Sequence, residues 1–407
     1  ILLDSAGQNF AESFGRDKES KATLQVTEQI IVGALLRKAS DILIDPKTND
    51  TYSVRYRVDG MLRITDELTA ENAGAVINSV KAVAGMDIAE RRRPQDGAFT
   101  AKDEQRTYSF RVSSAGVLGG EKLSLRVLGQ NTELLNLKNI GLAGATLQAV
   151  EEAVARPSGM IIVCGPTGSG KTTTLYAILN SIDFFSRNVV TVEDPVEYIL
   201  PNTSQIEVNV KADITFAKAL RSILRQDPDV IVVGEIRDEE TAAIAIKAAE
   251  TGHLVIATMH SGSNSASVVR LMDLGIKPLL VTAAVQLLVS QRLVRKLCDQ
   301  CKKPAELKEA QKQALVQQGL DPSNVCVAVG CDDCDSTGYS GRMSIFDIMP
   351  MTNKLKSIIT DPNLSMTDLE NTGNVKCKSN LRREGLIKVA AGLTTLEEVK
   401  RVTSDLG

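Results

Sequence analysis

Apolar and polar positions alternate through residues 51–64, TYSVRYRVDGMLRI. Tyr52, Val54, Tyr56 and Val58 face one way, and Ser53, Arg55 and Arg57 the other. A period of two predicts a half-buried strand, and Asp59-Gly60 predicts a tight hairpin turn. Ahead of it, Ile30, Ile31, Ala34 and Leu35 share one face of a helix predicted over 27–38. A second helix is expected over 71–86, with strands over 107–112 and 122–128. Residues 23–128 thus read as a small α+β domain, preceded by a polar leader over 1–22 and followed by a linker over 129–141.

The pattern then changes. Four short runs, 160–164, 189–192, 230–233 and 254–257, are almost continuously apolar, and helical stretches separate most of them. Such runs fit strands buried on both faces of a parallel sheet. They place an α/β domain over 142–297. Two CxxC pairs mark a separate segment over 298–335, and 336–407 reads as a helical C-terminal region.

Composition narrows the picture. The chain has 407 residues, 43% hydrophobic and 24% charged, an ordinary globular balance. A net charge of −3 gives no overall basic field for nucleic acid or anionic lipid. Aromatics at 3%, with no Trp, argue against a base-stacking platform. The chain opens at Ile1 and is expected to be part of a longer protein, without a signal peptide. Its most apolar stretch, 279–289, is too short for a spanning helix.

Polar motifs follow the carboxyl ends of all four apolar runs, the edge where open α/β sheets bind ligands. The first is Gly165-Pro166-Thr167-Gly168-Ser169-Gly170-Lys171-Thr172, followed by Thr173. Its glycines turn backbone N–H groups toward phosphate oxygens at a helix start. Lys171 is expected to bridge β- and γ-phosphates, and Thr172 to hold Mg²⁺ beside ATP. Next comes EDPVE, where Glu193, Asp194 and Glu197 are candidates to orient or deprotonate an attacking water. DPDVIVVGEIRD follows, with Gly234 where a Walker B strand usually ends in Asp, so Glu235 is the candidate carboxylate. Arg237 pairs either with acidic neighbours or with nucleotide. His253 and His260, the only two histidines, bracket the fourth run and suggest a phosphate sensor, with metal ligation the alternative.

Cys298, Cys301, Cys331 and Cys334 can set four thiolates around Zn²⁺, redox cysteines being the alternative. Cys164 reads as buried packing, and Cys326 and Cys377 have no evident partners.

These motifs, in this order, resemble the secretion and pilus-assembly ATPase superfamily of type II secretion and type IV pili. ASDILIDP, RYRVDG, DIAERRRPQDG and FRVSSAGVLGGEKLSLRVL resemble its N-terminal domain, and GYSGRMSIFDIM and GLTTLEEVKRVT its C-terminal region. The cysteine pairs point to the extension or secretion branch, of PilB/GspE type. Two departures are visible: Leu43 stands where the family's ASDIHIEP has His, and MHSGS replaces THTN after the last strand. The resemblance implies a RecA-like P-loop ATPase core, a PAS-like α+β N-terminal domain and a four-cysteine zinc subdomain. It implies Glu197 as general base, and Arg111, Arg126, Arg221, Arg225 and Arg342 as candidate phosphate-neutralising arginines. It also implies a cytoplasmic homo-hexamer at the inner face of the bacterial inner membrane. There the ring acts on a membrane platform protein and other pilus or secretion components, without direct nucleic acid. A DNA-translocating or conjugation ATPase is the alternative.

Overall fold

The structure is a computed structural model that describes residues 2–3, 9, 18–102, 106–128, 134–365, 367–369 and 380–404. Cys377 lies outside the described residues. The chain divides into two compact units, Ile1–Gln130 and Asn131–Gly407.

Among the described residues, the first unit is one antiparallel sheet with two helices. Its strands are β1 (Leu2–Leu3), β2 (Asp41–Pro46), β3 (Thr51–Val58), β4 (Met61–Thr69), β5 (Gln95–Lys102), β6 (Thr107–Val117) and β7 (Gly120–Leu128). The order is β1-β5-β6-β7-β2-β3-β4. Val58 pairs with Met61 across Asp59 and Gly60, both at positive φ, which matches the twist of the flanking strands. Tyr52, Val54 and Tyr56 are buried against helices α1 (Lys18–Leu36) and α2 (Ala70–Val83). Helix α1 begins within the segment read as leader. Strand β5 has no sequence forecast because Gln95 and Gly97 stand on its inward face and Ala98 on its outward face, which breaks the apolar–polar alternation.

In the second unit, α3 (Gly144–Val154) leads into β8 (Gly159–Cys164) and α4 (Lys171–Leu179). Strand β9 (Val189–Glu193), β10 (Ser204–Glu207), α5 (Phe216–Ile223), β11 (Val230–Val233), α6 (Glu239–Glu250) and β12 (Leu254–Met259) follow. Helices α7 (Asn264–Asp273) and α8 (Pro278–Ala284) then lead to the long β13 (Val285–Leu297). The sheet order is β10-β9-β11-β12-β8-β13-β16, where β16 is Tyr339–Pro350. All neighbours are parallel except β16, which runs antiparallel to β13.

Alternation in β8 divides the core between two helical layers. Met160, Ile162 and Cys164 join α5, α6, α7 and α8, while Ile161 and Val163 join α3 and α4. The carboxyl ends of β8, β9, β11 and β12 therefore lie along one edge, with the motif loops behind them.

Between β13 and β16 lie β14 (Lys303–Pro304), α9 (Glu309–Gln317) and β15 (Cys326–Val327), together with the paired cysteines. Helices α10 (Asn353–Ile359), α11 (Leu381–Ala390) and α12 (Leu396–Thr403) close the described chain. The region read as helical from 336 thus opens with a strand. Ser344 to Met349 are all buried, so β16 shows no alternation to betray it. Glu398 on α12 ties the C-terminus to β13. Burial alone would raise its carboxyl, but hydrogen bonds from Arg401 and Arg295 hold it down to about 2.

Candidate active site

The phosphate loop needs its glycines. Gly165, Gly168 and Gly170 have φ of 155°, 77° and 91°, in the range that L side chains rarely adopt. A Cβ on Gly165 would stand 2.7 Å from the Gln291 carbonyl oxygen, and one on Gly170 would stand 2.7 Å from Gln291 Nε2. The loop is pressed onto β13, and Gln291 is its floor. Its side chain accepts from Thr174 Oγ1 at 2.7 Å and donates to Ser344 Oγ at 3.2 Å. Helix α4 starts directly after the loop, so its unpaired N–H groups and dipole favour an anion.

Lys171 Nζ donates to the carbonyls of Gly165 and Pro166 at 2.9 and 3.0 Å, and lies 3.5 Å from His260 Nδ1. Burial lowers its pKa, with Glu235 opposing the shift. Ser169 is 3% exposed, and its Oγ has no hydrogen-bond partner among the described residues. A buried hydroxyl without a partner costs about 1–3 kcal/mol. That orphan, the helix start and a desolvated lysine fit the phosphates of a nucleotide. Thr172, at the first turn of α4, fits a Mg²⁺ ligand.

A charged relay crosses the strand ends. His260 Nε2 lies 3.0 Å from Glu235 Oε1. The carboxylate can only accept, which puts the imidazole proton on Nε2 and turns the Nδ1 lone pair toward Lys171. Burial lowers the His260 pKa and Lys171 lowers it further, while Glu235 opposes, so the environment favours the neutral ring. Glu235 Oε2 accepts from Arg237 at 2.6 Å, and Arg237 reaches Asp194 at 3.7 Å. The hydrogen bond to Glu235 raises the Arg237 pKa. Arg237 thus pairs with acidic neighbours. Gly234 is tightly placed: a Cβ would lie 3.1 Å from both Glu193 Cα and the Val192 carbonyl oxygen, so a side chain there would press on the β9 backbone. The carboxylate accordingly moves one residue on, to Glu235.

Two expected members stand apart. Glu193 is 3% exposed, and its carboxylate accepts from Tyr176, Thr191 and Gln205. Through these bonds it ties β9 to α4 and β10. His253 precedes β12 at the amino edge of the sheet, whereas His260 follows the carboxyl edge. The six residues of β12 lie between them, so they stand seven steps apart, about 23 Å at ~3.3 Å each. The His253 ring meets the Ala248 carbonyl at 3.0 Å, capping α6.

Glu197 is exposed in the loop after β9. Arg221 forms an ion pair with Glu240 at 2.5 Å, and Arg225 donates to the Arg221 carbonyl at 2.9 Å. Arg342 is exposed on β16, opposite Arg295. In the first unit, Arg111 and Arg126 are directly opposed on β6 and β7, both exposed, with Asp41 accepting from Arg126 at 3.1 Å.

The four cysteine sulfurs lie within 4.8 Å of one another. Cys298–Cys331, Cys301–Cys334 and Cys331–Cys334 are 3.9, 3.8 and 3.7 Å apart. A tetrahedron with ~2.3 Å zinc–sulfur bonds has edges of about 3.8 Å. Backbone N–H groups of Cys331 and Gly338 donate to Cys334 Sγ, and that of Gly330 to Cys301 Sγ. Such donors stabilise thiolates, so the residues fit a zinc ion.

Gln291, Arg292, Thr174 and Ser344 escaped the sequence reading. The signal was present in SQRLVRKLC, where a polar pair interrupts a buried strand just before the first cysteine.

Comparison with known proteins agrees with this geometry. A family profile described as "Type II/IV secretion system protein" matches residues 16–401. The putative type II secretion system protein E of Escherichia coli (strain K12) is 41% identical over 97% of this chain and 79% of its own length. The type IV pilus assembly ATPase PilB of Myxococcus xanthus is 40% identical over 95% of this chain and 69% of its own. The Legionella pneumophila ATPase DotB has the same fold, with a TM-score of 0.68 at 21% identity, covering 93% of this chain and 95% of that one. The matched profile, the identity over nearly the full chain and the nucleotide-site geometry meet in one conclusion: the chain belongs to the type II/IV secretion system protein family.

Proposed function

We infer that the chain is a motor ATPase of pilus assembly or type II secretion, which converts ATP hydrolysis into movement of its domains. The observation that carries this reading is the unbroken line Lys171–His260–Glu235 beside the phosphate loop. One end grips phosphate, and the other holds a carboxylate near the water to be activated.

The backbone of Gly165 to Gly170, together with Lys171, binds the triphosphate, and Thr172 with Thr173 completes the cradle. Mg²⁺, when bound at Thr172, neutralises charge on the β- and γ-phosphates. Glu197 is the general base, and Glu235, held by His260 and Arg237, would help order the attacking water. Neutral His260 senses the γ-phosphate from between Lys171 and Glu235. The second unit is a RecA-like core with a four-cysteine zinc subdomain, and the first is PAS-like. Six copies form a ring in which Arg111 and Arg126 close on a bound γ-phosphate, with Arg221, Arg225 and Arg342 supporting it. The ring works on the cytoplasmic side of the inner membrane, against a platform protein. Among the described residues no helix is long and apolar enough to cross a membrane, which suits attachment through such a partner.

The test is turnover and nucleotide binding in two variants. Lys171→Ala should abolish ATP binding. Glu197→Gln should bind ATP and lose at least 100-fold in turnover. Normal turnover in Glu197→Gln would remove it as the base.

A further inference from the structure

Arg292 is 5% exposed, in the middle of β13. Its neighbours on the same face, Leu288, Ser290 and Val294, are all fully buried. Placing a guanidinium there removes a charge from water at a cost of several kcal/mol, and an apolar side chain is often as stable or better. The position therefore calls for a reason beyond packing.

Two hydrogen bonds supply one. Arg292 NH1 donates to the carbonyl of Gln291 at 3.1 Å, the carbonyl against which Gly165 is pressed. NH2 donates to the carbonyl of Gly262 at 2.7 Å. Gly262 is two residues beyond His260, in the short loop that ends at Ser263, the N-cap of α7. One planar group thus spans the support of the phosphate loop and the loop that carries the γ-phosphate sensor. A guanidinium fixes both directions at once, which an ammonium cannot do. Arg292 also lies close enough to Lys171 for its charge to oppose protonation of that amine. An arriving triphosphate relieves this repulsion between two desolvated cations.

We propose that Arg292 is a positioning residue for ATP hydrolysis: it locks the His260 loop to the phosphate loop, so that filling one sets the other. This rests on reading the phosphate loop as an ATP site. Arg292 acts through His260 and Glu235 without touching the nucleotide. Its loss leaves the glycine amides and Lys171 in place but lets the His260 loop drift.

The experiment is hydrogen exchange by mass spectrometry with and without ADP, with turnover and ADP affinity measured in parallel. In the unaltered chain, ADP should protect residues 165–172 and 260–264 together. In Arg292→Met, protection of 165–172 should persist while that of 260–264 disappears. Its kcat should fall at least tenfold with the ADP Kd within threefold. Arg292→Lys, which reaches one carbonyl, should keep part of the protection and lose at least threefold in kcat. It also decides the matter should Arg292→Met fail to fold. Full protection of 260–264 and kcat within twofold of the unaltered chain in either variant would overturn the proposal. If ADP protects neither segment in the unaltered chain, the ATP-site reading fails first and the positioning role falls with it.

Discussion

The imidazole of His260 donates to Glu235 across 3.0 Å, and its other nitrogen faces Lys171. That contact fixes the tautomer, and it works only while the ring is neutral: a proton on Nδ1 would point a charge at the lysine. Burial already disfavours that proton. His260→Ala should therefore lower kcat by about 10–100-fold with little change in ADP affinity, as expected for an interaction made late in the reaction. Glu235→Gln should cost at least as much. Steady-state kinetics with ADP binding checks both, and a His260→Ala enzyme with wild-type kcat would refute the relay.

A second expectation concerns pH. Asp347 on β16 is buried, and that burial pushes its carboxyl up to about 7, against a weaker pull from Asn264. The folded state then binds a proton that the unfolded state releases near pH 4. Between roughly pH 4 and 7 stability falls as pH rises, and above 7 the full penalty applies. A shift of this size corresponds to about 4 kcal/mol as an upper bound. Asp347→Asn removes the charge, so it should raise Tm relative to the unaltered chain more at pH 8 than at pH 5, by several degrees. Equal effects at the two pH values would show that the carboxyl ionises without cost.

The third expectation is one Zn²⁺ per chain. The sulfurs already stand near the edge length of a zinc tetrahedron, with backbone donors to Cys301 and Cys334. A metal that holds such a cluster contributes folding free energy locally. Elemental analysis of protein purified without added metal should give a ratio near one, and Cys301→Ser should lower it and reduce Tm. Four titratable thiols with no metal under reducing conditions would contradict the assignment.

What the sequence made legible follows from locality. The four buried runs, the Asp59-Gly60 turn and the CxxC pairs are short-range signals, and each marks a feature present in the fold. The misses are non-local. Residues 279–289 form one apolar run, yet the chain leaves α8 and enters β13 within it, and periodicity cannot divide so short a run between a helical turn and a strand. Glu193 sits in an acidic motif, and only the approach of Tyr176 from α4 and Gln205 from β10 shows that its carboxylate is spoken for. The two histidines look equivalent because both flank β12. The direction of that strand separates them, since only its carboxyl end meets the phosphate loop. Gln291 and Arg292 acquire meaning only when β13 is laid beside β8.

The last expectation concerns Arg111 and Arg126. They are paired residues on adjacent antiparallel strands, so two exposed guanidinium groups share one patch of the first unit. Like charges placed directly opposite destabilise a sheet. Asp41 offsets part of this through its bond to Arg126, but Asp41 also pairs with Arg57 at 3.2 Å. The patch therefore has a surplus of positive charge that an anion can satisfy. Under the proposed function, hydrolysis develops negative charge around the γ-phosphate, of which Lys171 and a bound Mg²⁺ would neutralise only part. If the first unit of a ring neighbour or of the same chain supplies the rest, the arginines act in the transition state and let go once phosphate leaves. Arg111→Ala and Arg126→Ala should then each lower kcat at least tenfold and leave ADP affinity within threefold. Their combination should lose less than the product of the two effects, because the pair serves one charge. In the unaltered chain, turnover per chain should rise with protein concentration as light scattering reports assembly. Full turnover in a strictly monomeric sample, unaffected by either substitution, would rule out both the ring and the role of the arginines in it.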